Sequence, residues 1–409
     1  MTVTIRSVRA EELSQYIESL STAFFERPDV AKVAEEVREL WDLERTWAAF
    51  DEARLCGTFR SWGTYLTVPG GAQLPASAVS AVTVLPTHRR RGLLRSMATS
   101  EHGAIRERGE VFGLLYASEY PIYGRFGYGP ACRVASWTLH TRDTSFHAQA
   151  PAGGVEVVSP NKETPRVLKA VFDAWRERQP GEIARPDYRW EFDLGRETAW
   201  GERWKGYLAL RRNGTGEVDG YARYKAKEIW EDRQSRSTLE VSELHALNHD
   251  AYVGLWRFLA EMDLVVKVKA EGRTPSERLP WLLTNARAAF ASDVGEGLWV
   301  RIFDVQRALE ARSYEREGSV VLEVIDRELS DARQRFELDA GPAGASVRPT
   351  RRSAELSLDI AALSAAYLGG TRLRDAVLAH GADEGREGAL AQADDLLRTR
   401  DEPWCSTFF

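Results

Sequence analysis

The sequence predicts a mixed α/β (α+β) protein of three domains. Three observations lead there. The chain has 409 residues, enough for two to three domains at roughly 150 residues each. Along it, strand-like runs alternate with stretches of helical period. A strand–helix pair near residue 80 also recurs, in weaker form, near residue 240. We place the domains at 1–150, 151–295 and 296–409.

In the first domain, residues 2–6 alternate in strand fashion, and helical stretches follow at 11–25 and 30–41. Strand-like runs come next, at 46–50, 55–68 and 79–85. Over 92–107, Leu93, Leu94, Met97 and Ala104 share one helix face. The apolar run 111–117 has the length of a buried strand. Residues 119–129 are rich in turn formers, and 132–140 resume strand alternation. The Ala/Pro/Gly content of 147–155 marks a linker.

The second domain opens with a helix at 167–178. Runs at 207–212 and 221–227 flank Asn213-Gly214 as in a hairpin. Strand 239–247 and helix 250–262 repeat the plan of 79–85 and 92–107 but lack the Arg-rich, Gly-containing loop between them. This domain therefore reads as a degenerate duplicate. In the third domain, 298–305 reads as a strand and 306–314 as a helix. Residues 320–325 and 335–338 form a hairpin around Asp331, and helices are expected at 359–367 and 372–378.

Composition narrows the function classes. With 43% hydrophobic and 28% charged residues, the chain has the material of packed cores, unlike a disordered tail or a disulfide-stapled miniprotein. No run approaches the roughly 18 apolar residues of a membrane helix, and the first residues carry no secretory signal. Cys56, Cys132 and Cys405 are widely spaced with no CxxC pair. A reducing, cytoplasmic setting without structural zinc is expected. Among the seven histidines only His245 and His249 stand at i,i+4, without HExxH or a Cys partner, so no metal is expected. The net charge is −6, and only eight of the 55 basic residues are lysines. An acidic chain without broad basic clusters is a poor nucleic-acid ligand, so neither nucleic acid nor membrane is expected as a partner. No GxSxG elbow is present, and the Gly124–Gly129 spacing is GxxGxG, the wrong order for a dinucleotide loop.

One short basic cluster carries chemistry. In Val82-Thr83-Val84-Leu85-Pro86-Thr87-His88-Arg89-Arg90-Arg91-Gly92-Leu93-Leu94-Arg95, a strand ends at the proline and a helix begins after the glycine. The unpaired N–H groups and macrodipole of a helix start attract anions. Gly92 allows close backbone approach, and the arginines can grip phosphates. Together they form a pyrophosphate cradle without the Lys-Ser/Thr of a P-loop. His88, in the same loop, has the chemistry of a base but is read as a surface or loop-packing residue.

This order of strand, proline, arginines, glycine and leucines resembles the GNAT superfamily of acyl-CoA-dependent N-acetyltransferases. The stretch Ser118-Glu119-Tyr120-Pro121-Ile122-Tyr123-Gly124-Arg125-Phe126-Gly127-Tyr128-Gly129-Pro130 and the aromatic C-terminus resemble the Eis family. The likeness spans the chain. It implies tandem GNAT-like domains, the second without a working cofactor loop, then a sterol-carrier-protein-like α+β domain. It further implies acetyl-CoA as co-substrate, direct transfer to primary amines (small molecules of the aminoglycoside or polyamine type, or lysine side chains), and a homohexamer.

The resemblance also assigns residues. The backbone of Val82, Thr83 and Val84 would hold the thioester carbonyl, an oxyanion-type device. Arg89, Arg90, Arg91, Gly92, Leu93, Leu94 and Arg95 would bind the phosphates. Ser118 and Glu119 would contact the pantetheine arm, in a wedge between parting strands. Tyr123 matches the general acid, protonated at neutral pH while thiols titrate near 8.5; Tyr128 is its rival. The carboxylate of Phe409 matches the general base, if the tail threads back into the first domain. Independently of the resemblance, Glu26 and Asp29, beside Phe24, Phe25 and Trp41, could draw a cationic acceptor or equally form a solvated helix end. Phe408 places no acidic side chain next to the terminus, which widens the acceptor range beyond polycations. The alternative is a lipid- or hydrophobe-binding oligomer with a vestigial transferase domain. The cradle reads the CoA portion alone, so another acyl-CoA would satisfy it equally.

Overall fold

The computed structural model describes residues 3–196, 198–200, 203–329 and 332–409. Thr2 of the first expected strand and Asp331 of the expected hairpin lie outside the described residues.

The first sheet is built on β1 (Val3–Ser7), β2 (Thr46–Asp51), β3 (Arg54–Thr67), β4 (Gln73–Val84) and β5 (Phe112–Leu115). Neighbours from β1 to β4 run antiparallel, and β4 and β5 run parallel. A parallel pair needs a crossover, and the helix α3 (Leu93–Glu107) supplies it. Its inner face, with Leu93, Met97, Ala98 and Ile105, packs on the sheet. The helices α1 (Leu13–Ala23) and α2 (Val30–Leu40) join β1 to β2, and Asp29 caps α2 by accepting from the Lys32 N–H at 3.3 Å.

The second sheet repeats the plan around strands Tyr207–Arg212, Val218–Lys227, Ser237–Ala246 and Val265–Arg273, with helices Thr164–Arg176 and His249–Ala260 against it. The third has five strands, centred on Gly318–Asp326, and helices Ile360–Ala366, Leu373–His380 and Ala389–Leu397. Its buried side chains, among them Leu322, Val324, Leu358, Leu363 and Tyr367, belong to an apolar core that continues into the first sheet.

The sheets depart from the expected boundaries in two places. Arg133–His140, expected as the closing strand of the first domain, pairs with Val265–Arg273 and Ala289–Glu296 in the second sheet. Trp299–Ile302, expected to open the third domain, lies between β5 and Gly129–Pro130 in the first sheet. The two crossing segments are clamped where they pass: Ala131 and Cys132 both donate to Leu298 O, and Gly297 donates to Cys132 O. Alternation marks a strand but not its partner, so this exchange had no local sequence signal. No helix among the described residues is long and apolar enough to cross a membrane.

Candidate active site

The site begins with an interrupted ladder. β4 and β5 pair only from Ala76–Phe112 to Ala78–Leu114, although β4 continues to Val84. On its other edge, β4 slips register against β3. Thr58 faces Thr83 while Arg60 faces Ser80, leaving Ala81 and Val82 opposite Phe59, with Ala81 at φ +52°. This is a β-bulge, which bends a strand and re-aims its groups. The far end of β4 thus leaves its neighbour and opens a wedge.

At the head of the wedge the chain turns into α3. Pro86, Thr87 and His88 form a 3₁₀ turn, Arg90 adopts φ +63°, and Gly92 adopts φ +80° immediately before the helix. A Cβ on Gly92 would meet nothing within 4 Å. The glycine therefore answers a backbone requirement and keeps the approach to the helix start open. The first N–H groups of α3 have no partner within the helix.

A groove of about 430 Å³ follows this arrangement. Val82, Thr83 and Val84 line one side; Arg89, Arg90, Gly92 and the first turn (Leu93, Leu94, Arg95) line the head; Ser118, Glu119 and Tyr123 line the other side. Of the residues expected to bind cofactor, Arg91 is not on this wall. Its guanidinium donates to Thr87 O at 3.3 Å and lies 3.6 Å from Asp51. Asp51 also sits 3.2 Å from His88 Nε2. His88 is buried, with Nδ1 2.8 Å from the Thr87 hydroxyl, although it too borders the groove.

A second cavity, of about 820 Å³, lies between the first domain, the second domain and the C-terminal tail. It shares Phe24, Val82, Ser118 and Tyr123 with the groove, so the two spaces meet there. Tyr123 is 8% exposed, and its hydroxyl makes no hydrogen bond to another described residue. Burial, with Glu119 adding to it, pushes its pKa up to about 12. Tyr128 differs: it lines neither cavity, and its hydroxyl lies 3.2 Å from His102 Nε2. His102 is held in turn by Glu328 at 2.7 Å. Tyr128 is a core residue with its polar group satisfied.

The tail reaches the second cavity along a polar track. The Trp404 N–H donates to Pro180 O, and its indole donates to Gly272 O. The backbone N–H and hydroxyl of Ser406 donate to buried Glu182, at 2.7 and 2.6 Å. Arg185, fixed 2.6 Å from Glu243, donates to the Thr407 hydroxyl. Arg189 donates to Phe408 O at 3.1 Å. The Phe409 ring then meets Trp62 and Tyr116 edge-on, at 5.6 and 5.3 Å. Phe408 and Phe409 both border the cavity.

Of the two acidic residues expected near an acceptor, Glu26 borders the second cavity and Asp29 does not. Asp29 is occupied as the cap of α2. The sequence reading missed the second-domain wall: Tyr188, Arg189, Phe192 and Asp193 on a seven-residue helix, with Trp204 and Arg223. It also missed Arg60, Glu36 and the tail anchors Glu182 and Arg185. The aromatic density of 188–204 was the one available hint.

A parallel strand pair that parts over a helix start, duplicated in a second sheet, is the fold of GNAT acetyltransferases. Residues 4–131 and 181–302 each match an acetyltransferase (GNAT) domain family, and 305–406 match the sterol carrier protein domain. An uncharacterized N-acetyltransferase of Streptomyces avermitilis is 38% identical over 423 aligned residues, covering 100% of this chain and 99% of the relative. N-acetyltransferase Eis of Mycobacterium tuberculosis is 39% identical over 316, covering 75% and 74%. The crystal structure of Eis1 from Mycobacterium abscessus superposes with a TM-score of 0.86 at 32% identity, over 99% and 100% of the two chains. The chain belongs to the Eis family of N-acetyltransferases. A GCN5-related N-acetyltransferase from Anabaena variabilis shares the whole fold, with a TM-score of 0.85 at 22% identity and complete coverage of both chains.

Proposed function

We propose that the protein transfers an acetyl group from acetyl-CoA directly to a primary amine, of a small molecule or a lysine side chain, where the groove meets the second cavity. One observation carries this reading: Tyr123, whose hydroxyl has no partner among the described residues, lines both spaces, and Phe409 lines the acceptor side. The open, partly positive groove suits an elongated phosphate-bearing ligand. Arg89, Arg90 and the start of α3 would hold its phosphates, the freed edge of Val82, Thr83 and Val84 its arm and carbonyl, and Ser118 and Glu119 the opposite side. When bound, acetyl-CoA supplies an activated acyl group.

The chain's own residues do the rest. The bulge re-aims the main-chain groups of β4 beside the wedge, where a preorganised N–H would stabilise the oxyanion that forms. The Phe409 carboxylate takes the proton of the amine, directly or through water. Tyr123 gives its proton to the departing sulfur. Burial raises the phenol, and the same desolvation disfavours a free thiolate, so a proton delivered at that point lowers the barrier. Glu26 adds negative charge at the acceptor side. The proposal includes a cytoplasmic homohexamer; light scattering that returns a single chain mass removes the hexamer.

The test is thiol release from acetyl-CoA against aminoglycosides, polyamines and a lysine-rich protein, with the products identified by mass. One thiol per acetylated amine is expected. Absence of both turnover and CoA binding contradicts the reading, and a propionyl-CoA arm separates acyl preference from acceptor preference.

A further inference from the structure

Arg60 stands on β3 opposite Ser80, beside the bulge, and borders the second cavity. It is 7% exposed. The Trp41 ring covers one face of its guanidinium at 4.4 Å. Its Nε has no hydrogen-bond partner among the described residues, and its polar neighbours include the hydroxyls of Tyr188 and Tyr16. Among the described residues, no carboxylate lies within salt-bridge distance. Asp42 acts on it from further away and is engaged by the Glu44 N–H and by Arg45.

The other charges of the wall are occupied. Arg189 and Arg223 share Asp193, at 3.2 and 3.6 Å. Glu36 accepts from the Ala199 N–H and the Thr198 hydroxyl, at 2.8 and 3.1 Å. What remains for a ligand is the guanidinium of Arg60, without a salt-bridge partner among the described residues, and the carboxylate of Glu26. A buried charge without a counter-ion is costly, and guanidinium does not escape by losing its proton. With one face on an aromatic ring, its free edge presents the planar donor fork that carboxylate and phosphate match.

We infer that the acceptor carries an oxyanion in addition to its amine, a carboxylate or a phosphate that docks on Arg60 while the amine faces the junction at Val82 and Tyr123. The inference rests on the second cavity being the acceptor site. It narrows the acceptor class from primary amines in general to amino acids and similar bipolar amines. From the level of Ser80 to Val82 is two residues across the bulge, at most roughly 7 Å. At the reach of an extended chain, that separates amine and anion by about six bonds.

The probes are 6-aminohexanoate, its carboxamide and 5-aminopentylphosphonate, with binding read by calorimetry in the presence of CoA and turnover by thiol release. Wild type is expected to prefer an anionic probe over the amide by about tenfold in Kd and in kcat/KM. The phosphonate arm tells which anion the site takes. Arg60→Met should abolish the preference and Arg60→Lys reduce it, CoA affinity serving as the check on folding. Equal binding of acid, phosphonate and amide to wild type overturns the inference without any variant, as does a preference that survives in folded Arg60→Met. If calorimetry shows the Arg60-dependent preference but no amine is acetylated, the docking inference stands and the transferase reading of this cavity fails.

Discussion

Tyr123 and Tyr128 are five residues apart in the same glycine-rich stretch, yet they sit in opposite chemical situations. Tyr128 has the His102–Glu328 relay for its hydroxyl, whereas Tyr123 has only the space where the two cavities join. Loss of Tyr128 would therefore act through stability, and loss of Tyr123 through chemistry. Tyr123→Phe should lower kcat by about 10²–10⁴, the usual range for a general acid, with acetyl-CoA affinity unchanged by calorimetry. The pH profile adds a second check. The protonated phenol is the working form, and its pKa is raised to about 12. It therefore stays protonated as pH rises from 8 to 10, and kcat should show no loss with a midpoint near 10; such a limb in the pH–rate profile would assign the acid elsewhere. The sequence located both tyrosines but could not separate them, because partnership with His102 on α3 is decided by packing. Arg91 shows the same limit: three adjacent arginines read alike until Asp51, forty residues earlier, takes one of them.

At the scale of elements, the site depends on a loop held in a strained conformation and a tail held by buried charge. Gly92 at φ +80° tolerates a methyl in space but not in backbone conformation. Gly92→Ala should cost on the order of 1–2 kcal/mol and weaken CoA binding several-fold, read by denaturation and calorimetry on the same sample. Glu182 is the fixed point of the tail. Glu182→Ala leaves the Ser406 N–H and hydroxyl without their acceptor, a loss of about 1–3 kcal/mol. Carboxypeptidase should then remove the last residues faster, and kcat should fall with them. The strand–loop–helix from Val82 to Arg95 was legible because its chemistry is local: proline, arginines, glycine and an apolar helix face follow one another. The helix Asp187–Asp193 was not. At seven residues it is too short to show a period, and its place on the cavity wall comes from tertiary contacts.

For the whole molecule, the exchange of strands makes the three expected domains interdependent. Val300 and Ile302 of the first sheet share one apolar core with Phe112 and Leu114 and with Leu322, Leu358, Leu363 and Leu368 of the third domain. Each large side chain exposed by separating them forfeits about 1.5–3 kcal/mol. A chain ending at residue 302 should therefore aggregate or melt well below the full chain, and the first and third domains should unfold in one calorimetric transition. Two resolved transitions for these domains would show that the shared core is not what holds them together. Fold class, duplication and the number of domains were readable from periodicity; which strand enters which sheet depends on contacts between segments far apart in sequence.

The central claim is that acetyl transfer takes place where the groove meets the second cavity, with Tyr123 as proton donor and Phe409 as proton acceptor. Its most direct test is single-turnover acetyl transfer with saturating acetyl-CoA and an amine that wild type accepts, comparing wild type, Tyr123→Phe and a chain lacking Phe409. Both variants are expected to bind CoA as wild type does and to transfer at least a hundredfold more slowly. Transfer within about threefold of wild type in both would place the acid and the base elsewhere.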